Sequence, residues 1–144
     1  MAPLVSPDLV SQRLRLLNGY LNKLHAIRNR TTLEQFLADS DTQDIVERNL
    51  HLAIEAVLDV GQHIIASSRW QPAEEYRNVF PILHQHNVIS SNLLSRVVGM
   101  AGFRNLLVHE YATIDHSQVF HVLKNNLDDL AELARAYQKY IDAN

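Results

Sequence analysis

The sequence predicts an all-α fold, an up-and-down helical bundle of about five helices, with residues 1–144 forming a single domain. Three observations lead there. Apolar residues make up 47% of a 144-residue chain, enough for one real core and too few for two comfortable ones. Only four Gly and four Pro interrupt it, which favours long helices over a turn-rich β fold. Apolar residues also recur at three- and four-residue spacing along most of the chain, the period of a helix with one buried face.

The elements follow in order. Ser6-Pro7-Asp8 starts the first helix: Ser6 caps it, Pro7 fits the first turn, and Asp8 meets the positive end of the dipole. Leu9, Val10, Leu14, Leu17, Leu21 and Leu24 then form a stripe extended by Tyr20 and Ile27. Thr31-Thr32-Leu33-Glu34 reads as a capping box for a short segment from Thr32 to Ala38. A third helix, Thr42 to about Ser68, is apolar on two sides, which predicts a central place in the bundle or a face kept for a partner subunit. Between those sides runs a polar row at steps of four, Glu47, His51, Glu55, Asp59 and His63. A solvated face with i,i+4 pairs is the reading taken for Glu47 and His51 and put ahead for Asp59 and His63, whose alternative is lining a cleft or holding a polar core together.

Pro72 is expected to open a shorter helix through Leu83, bent near Pro81, with Asn87 a left-handed stop. His84 and His86 read as a surface pair. Ser90 or Ser91 caps the next helix, which carries Leu93, Leu94, Val97, Val98, Met100 and Phe103 up to Arg104. Gly99 and Gly102 cost helix stability there, and close backbone approach, to another helix or across a dimer axis, explains them most simply. Asp115 caps a last helix running from His116 to about Ile141.

Composition excludes several function classes. With no Cys there are no disulfides and no thiolate metal sites. No apolar run is long enough to span a bilayer, and Met1-Ala2-Pro3-Leu4-Val5 lacks the pattern of a signal peptide, so the expected location is cytoplasmic, without membrane attachment. A net charge of -3 excludes coating a nucleic acid by bulk charge. Any RNA would have to be handled in a local basic cleft, with Arg104 and Arg48, Arg96 or Lys124 as candidate cations.

The residues that carry chemistry concentrate in Arg104-Asn105-Leu106-Leu107-Val108-His109-Glu110-Tyr111. An imidazole with a reference pKa near ~6.5 can take or give a proton at neutral pH, and a guanidinium fork binds two phosphate oxygens at once. On an ideal helix Arg104 and His109 are roughly 140° apart, whereas Asn105 and His109 share a face. Asn105 is therefore read as the partner of the imidazole. Arg104 is expected to swing round to the same mouth, and Tyr111 to close it where the helix ends. The row on the third helix never provides Glu-x-x-His spacing, so no metal is expected, and no cofactor either.

Arg104-Asn105-x-x-x-His109-x-Tyr111 resembles the Arg-x4-His-x-Tyr signature of HEPN domains, in particular the toxins of HEPN–MNT (HepT/MntA-type) toxin–antitoxin pairs. The lead-in Val98-Gly99-Met100-Ala101-Gly102-Phe103, the follow-on Ala112-Thr113-Ile114-Asp115 and an upstream block containing Glu47-Arg48-Asn49-Leu50, Glu55, Asp59 and His63 are similar to that subfamily too. The resemblance implies a homodimer whose cleft brings two Arg104 and two His109 together as a metal-independent endoribonuclease, acting on tRNA or mRNA. It further implies silencing by adenylylation of Tyr111, carried out by a partner MNT-type nucleotidyltransferase. Asp59 and His63 become possible cleft-lining residues. The rival reading is a non-catalytic HEPN module that docks the nucleotidyltransferase or a nucleotide, which the negative net charge favours slightly.

Overall fold

The computed structural model describes residues 5–144, apart from the side chain of Tyr111, so the reading of the first four residues lies outside what is described. Within that range there are eight α-helices and no strands: α1 (Pro7–Arg30), α2 (Leu33–Leu37), α3 (Ser40–Ser67), α4 (Val79–Gln85), α5 (Ser91–Val97), α6 (Met100–His109), α7 (His116–Asn125) and α8 (Leu127–Ala143). The class is as expected, and the helix count is higher. Short 3₁₀ turns at Tyr76–Asn78 and Tyr111–Thr113 precede α4 and follow α6.

The caps account for the starts. Ser6 accepts from the Leu9 N–H, with Pro7 in the first turn of α1. Thr32 caps α2 in a reciprocal box, though its partner is Gln35 rather than Glu34, because the box closes on the third helical residue. Asp39 caps α3 through the Thr42 N–H.

Helix α3 is the axis of the bundle and packs against α1, α2, α4, α6, α7 and α8. Both its apolar sides are buried, with Val46, Leu50, Ile54, Val57, Leu58 and Ile64 wholly inside. Gly61 lets other elements approach closely: a Cβ there would lie 2.7 Å from Val79 Cγ1 and 3.0 Å from the Tyr137 hydroxyl. That hydroxyl donates to the Val57 carbonyl at 2.8 Å, which satisfies it inside the core. Burial pushes its pKa well up.

Four expectations are overturned. Pro72 opens no helix, and α4 begins only at Val79, where Pro81 sits in the first turn. N–H groups there have no intrahelical acceptor in any case, so the proline bends nothing. The helix leading to Arg104 breaks at Val98-Gly99 into α5 and α6, Gly99 being the N-cap of the second. The last helix also breaks, at Asn126, because side-chain amides compete with the backbone. Asn125 donates back to the His121 carbonyl at 2.9 Å, and Asn126 donates forward to Asp129 at 3.0 Å.

The polar row of α3 is the fourth correction: all five members are half-buried, not a solvated face. Each meets another element or a neighbour on α3, because α1, α6, α7 and the Tyr76 turn close over this side. Asn87, by contrast, is the left-handed stop expected of it, at φ 64°.

Candidate active site

Helix α6 presents Arg104, Asn105 and His109 from one short element, with Met100, Ala101, Phe103 and Leu107 anchoring its other side in the core. Arg104 lies on the boundary, its side chain only 16% exposed. Its Nη2 donates to Glu55 Oε1 on α3 at 3.0 Å and its Nη1 to Asn105 Oδ1 at 3.1 Å. The guanidinium carbon stands 5.0 Å from the centre of the Tyr76 ring, a cation–π distance. The buried Nε finds no hydrogen-bond partner among the described residues.

The cluster extends along α3. His51 Nε2 lies 2.6 Å from the other Glu55 oxygen, so one carboxylate faces both the guanidinium and an imidazole. The Tyr76 hydroxyl donates to Asp59 Oδ1 at 3.1 Å. Burial raises the Asp59 pKa, and the Tyr76 hydrogen bond only partly offsets it, with the Glu55 charge adding to the rise. Tyr76 is raised as well, by burial and then by Asp59. At one end of the row, Glu47 Oε1 stands 3.5 Å from His116 Nδ1 of α7, and burial raises its pKa against the pull of that histidine.

The two members of the row expected to line a cleft are used differently. Asp59 joins the Arg104 cluster through Tyr76, whereas His63 accepts the Ser6 N–H at 3.0 Å and so supports the start of α1. Both line a cavity of about 110 Å³ against Leu9 and Arg13, on the α1 side rather than at α6.

The expected Asn105–His109 pairing is not what forms. Asn105 accepts from Arg104, and His109 forms no hydrogen bond among the described residues, standing exposed at the last position of α6. Arg104 does not swing to the His109 side either, because Glu55 draws it toward α3. Tyr111 opens the 3₁₀ turn just past α6, and its side chain lies outside the described residues.

Of the other candidate cations, Arg96 is engaged by Asp129 and Glu132 of α8, both at 2.6 Å. Lys124 donates to the Arg28 carbonyl at 2.7 Å and so caps the end of α1. Only Arg48 is left facing a groove. Among the described residues a Cβ added at Gly99 or Gly102 would meet nothing within 4 Å, so close approach of another helix is not what these glycines serve here.

Glu55, His51 and Tyr76 are the residues that sequence reasoning did not place at the site. The step-of-four row on a helix apolar on both sides was the available signal for the first two. Tyr76, in a segment read as helix, gave none.

Chemically, a guanidinium has five N–H donors, and Arg104 spends two on Glu55 and Asn105. An incoming phosphate can take the N–H left on each Nη or displace Glu55, whereas the buried Nε is out of its reach. The imidazole of His109 stands exposed on the same helix, open to whatever binds beside α6. Among the described residues no group of three or more His, Asp or Glu is arranged to hold a metal ion, and no helix is long and apolar enough to cross a membrane.

The chain is similar to known proteins over most of its length. The family model described as Ribonuclease HepT-like matches residues 17–137. A protein of Aphanizomenon flos-aquae named tRNA nuclease HepT is 30% identical over 95% of this chain and 92% of its own length. One of Shewanella oneidensis named mRNA nuclease HepT is 33% identical over 68% and 74%. Among solved structures, the tri-AMPylated Shewanella oneidensis HEPN toxin in complex with MNT antitoxin superposes with a TM-score of 0.84 at 25% identity, covering 93% of this chain and 99% of that one. The Bacillus subtilis cytosolic protein YutE, of unknown function, shares the fold at TM-score 0.84 and 18% identity, over 99% of this chain and 94% of that one.

Proposed function

The chain belongs to the HepT-like ribonuclease family, and from that premise we propose that it is the toxin of a HEPN–MNT pair, a metal-independent endoribonuclease acting on tRNA or mRNA at a homodimer cleft. The observation that carries this reading is α6 itself. Arg104 is held half-buried with donors to spare, while Asn105 and His109 stand exposed on the same helix. Relatives named as nucleases of tRNA and of mRNA support the substrate class.

Cleavage without a metal needs the 2′-hydroxyl to lose its proton as its oxygen attacks phosphorus, and the departing 5′-oxygen to gain one as its bond to phosphorus breaks. Arg104 stabilises the charge that gathers on the phosphoryl oxygens. His109 handles one proton, a role commonly worth about 10²–10⁴ in rate, and a second His109 across a two-fold axis supplies the other. The exposed face of α6 with Gly102, Asn105 and His109, where Gly102 leaves room for close approach, is suited to that axis.

Silencing is the second part of the proposal. Tyr111 lies two positions after His109 in the sequence, and AMP attached to it by a partner MNT nucleotidyltransferase adds negative charge that repels an RNA backbone. The AMPylated toxin in the similar complex supports this reading.

The alternative is a HEPN module that docks its partner without cutting, and one observation favours it: Glu55 already neutralises Arg104. Partner-free protein incubated with tRNA and mRNA in EDTA separates the two. His109-dependent and Arg104-dependent cleavage is expected, and none at any protein concentration leaves the docking module. For the switch, intact mass after mixing with the cognate nucleotidyltransferase and ATP should show AMP added to the native chain and absent from Tyr111→Phe.

A further inference from the structure

We propose that the groove between α1 and α3, rimmed by Lys23, Arg30 and Arg48, is a track for the phosphate backbone of single-stranded RNA leading to the Arg104 site. The proposal deepens the ribonuclease reading above and rests on it.

Charge is the first observation. The chain carries -3 overall, yet α1 holds five Lys and Arg against one acid, Asp8, while everything outside it holds eight against fifteen. The basic surplus is therefore local, as an acidic chain that binds a polyanion requires.

Placement is the second. Lys23 and Arg30 of α1 face Arg48 of α3 across a groove of about 580 Å³, with Asp44 the one acid on its lining. None of the three cations forms an ion pair or a side-chain hydrogen bond among the described residues. Arg77, Arg96 and Arg104 by contrast are each paired with carboxylates. The groove floor offers the Tyr20 ring and the exposed Ile45, apolar surface on which a base can rest.

Continuity is the third. Tyr20 and Leu52 also line a second cleft of about 170 Å³ that reaches Glu55, the carboxylate holding Arg104. A strand lying along the basic rim is thus led toward the guanidinium. Three cations against one acid also fit a polyanion better than a second copy bearing the same basic rim.

The test uses the full chain and a fluorescent 2′-O-methyl oligouridylate, which lacks the attacking hydroxyl and so is bound without being cut. The variant Lys23→Gln/Arg30→Gln/Arg48→Gln should weaken binding about tenfold and lower the slope of log affinity against log salt by about 2, each phosphate contact on a single strand being worth ~0.7. Arg135→Gln/Lys139→Gln, which removes two cations of α8, should change neither quantity. Unchanged binding in the triple variant, or an equal loss in the control, overturns the track. So does conversion of a dimer to a monomer by the triple substitution, seen in light scattering, since the groove would then be a seam between copies. The underlying reading fails separately: if the triple variant loses affinity as expected but no form of the protein cleaves unmodified RNA, the track stands and the nuclease does not.

Discussion

Two arginines eight positions apart, Arg96 on α5 and Arg104 on α6, both bind carboxylates, and the difference between them separates scaffold from site. Arg96 sends Nη1 to Asp129 and Glu132 and Nε to Asn92, so acceptors surround it and it ties α5 to α8. Those bonds raise its pKa, and the bond from Arg96 lowers that of Glu132. Arg104 shares a single carboxylate with His51, leaves a buried Nε unpartnered, and lies over an aromatic ring. Two carboxylates more than balance the charge of Arg96, although its Nη2 bonds nothing among the described residues. Arg104 has one carboxylate, shared with His51, and stands on the same helix as the exposed His109.

The sharpest way to break this contrast is kinetic. His109→Ala and Arg104→Ala should each slow single-turnover RNA cleavage in EDTA by about 10²–10⁴, while Arg96→Gln leaves the rate per folded molecule unchanged. A comparable loss in Arg96→Gln would erase the distinction. Next in size is stability. Arg96→Gln leaves Asp129, whose side chain is only 10% exposed, without its cation and with the Asn126 amide as its one remaining partner among the described residues, so its unfolding midpoint should fall well below that of Arg104→Gln measured in the same thermal scan.

Glu55→Gln probes the competition at the site. With the carboxylate neutralised, Arg104 is freer to meet phosphate, and KM for RNA should drop several-fold. Asp129→Asn should leave KM alone, and a rise in KM for Glu55→Gln would make Glu55 an aid to binding instead.

The smallest effect is the dependence on pH, where the two regions have opposite signs. Burial raises Asp59, so the folded chain holds its proton more tightly than the unfolded chain; the group costs stability above its ordinary range and the cost fades in acid. Asp59→Asn should therefore raise the thermal midpoint at pH 7 and lose that advantage as pH falls below the ordinary aspartate range. Glu132 is lowered by its bond from Arg96, so it contributes stability above its unfolded pKa that is lost as pH falls through the folded value. Glu132→Gln should lower the midpoint at pH 7 and have no effect once the carboxyl is protonated. Equal signs for the two variants would contradict the assignment.

Much of the fold was legible because its determinants are local. The cap at Ser6, the stripe of α1, the two apolar sides of α3 and the stop at Asn87 each depend on residues within a turn or two of one another. The breaks at Gly99 and Asn126 were not legible, since a single Gly or an Asn pair is tolerated in many helices, and which bonds the Asn125 and Asn126 amides make is settled only in the folded chain. The helix expected from Pro72 failed for a related reason: its apolar residues gave a helical pattern, but the segment before Val79 is held as an irregular stretch and one 3₁₀ turn.

What the sequence determined by itself was the class of fold, the two apolar sides of α3, and the cluster of guanidinium, amide and imidazole on one helix, because periodicity and spacing along a helix fix which residues share it. Tertiary structure alone decided the partners. Arg104 turned to Glu55 instead of His109, His63 to the start of α1, and Lys124 to its end, across separations of dozens of residues. Long side chains reach whatever charge the packing of distant helices brings within a few ångströms, and no local pattern records that distance.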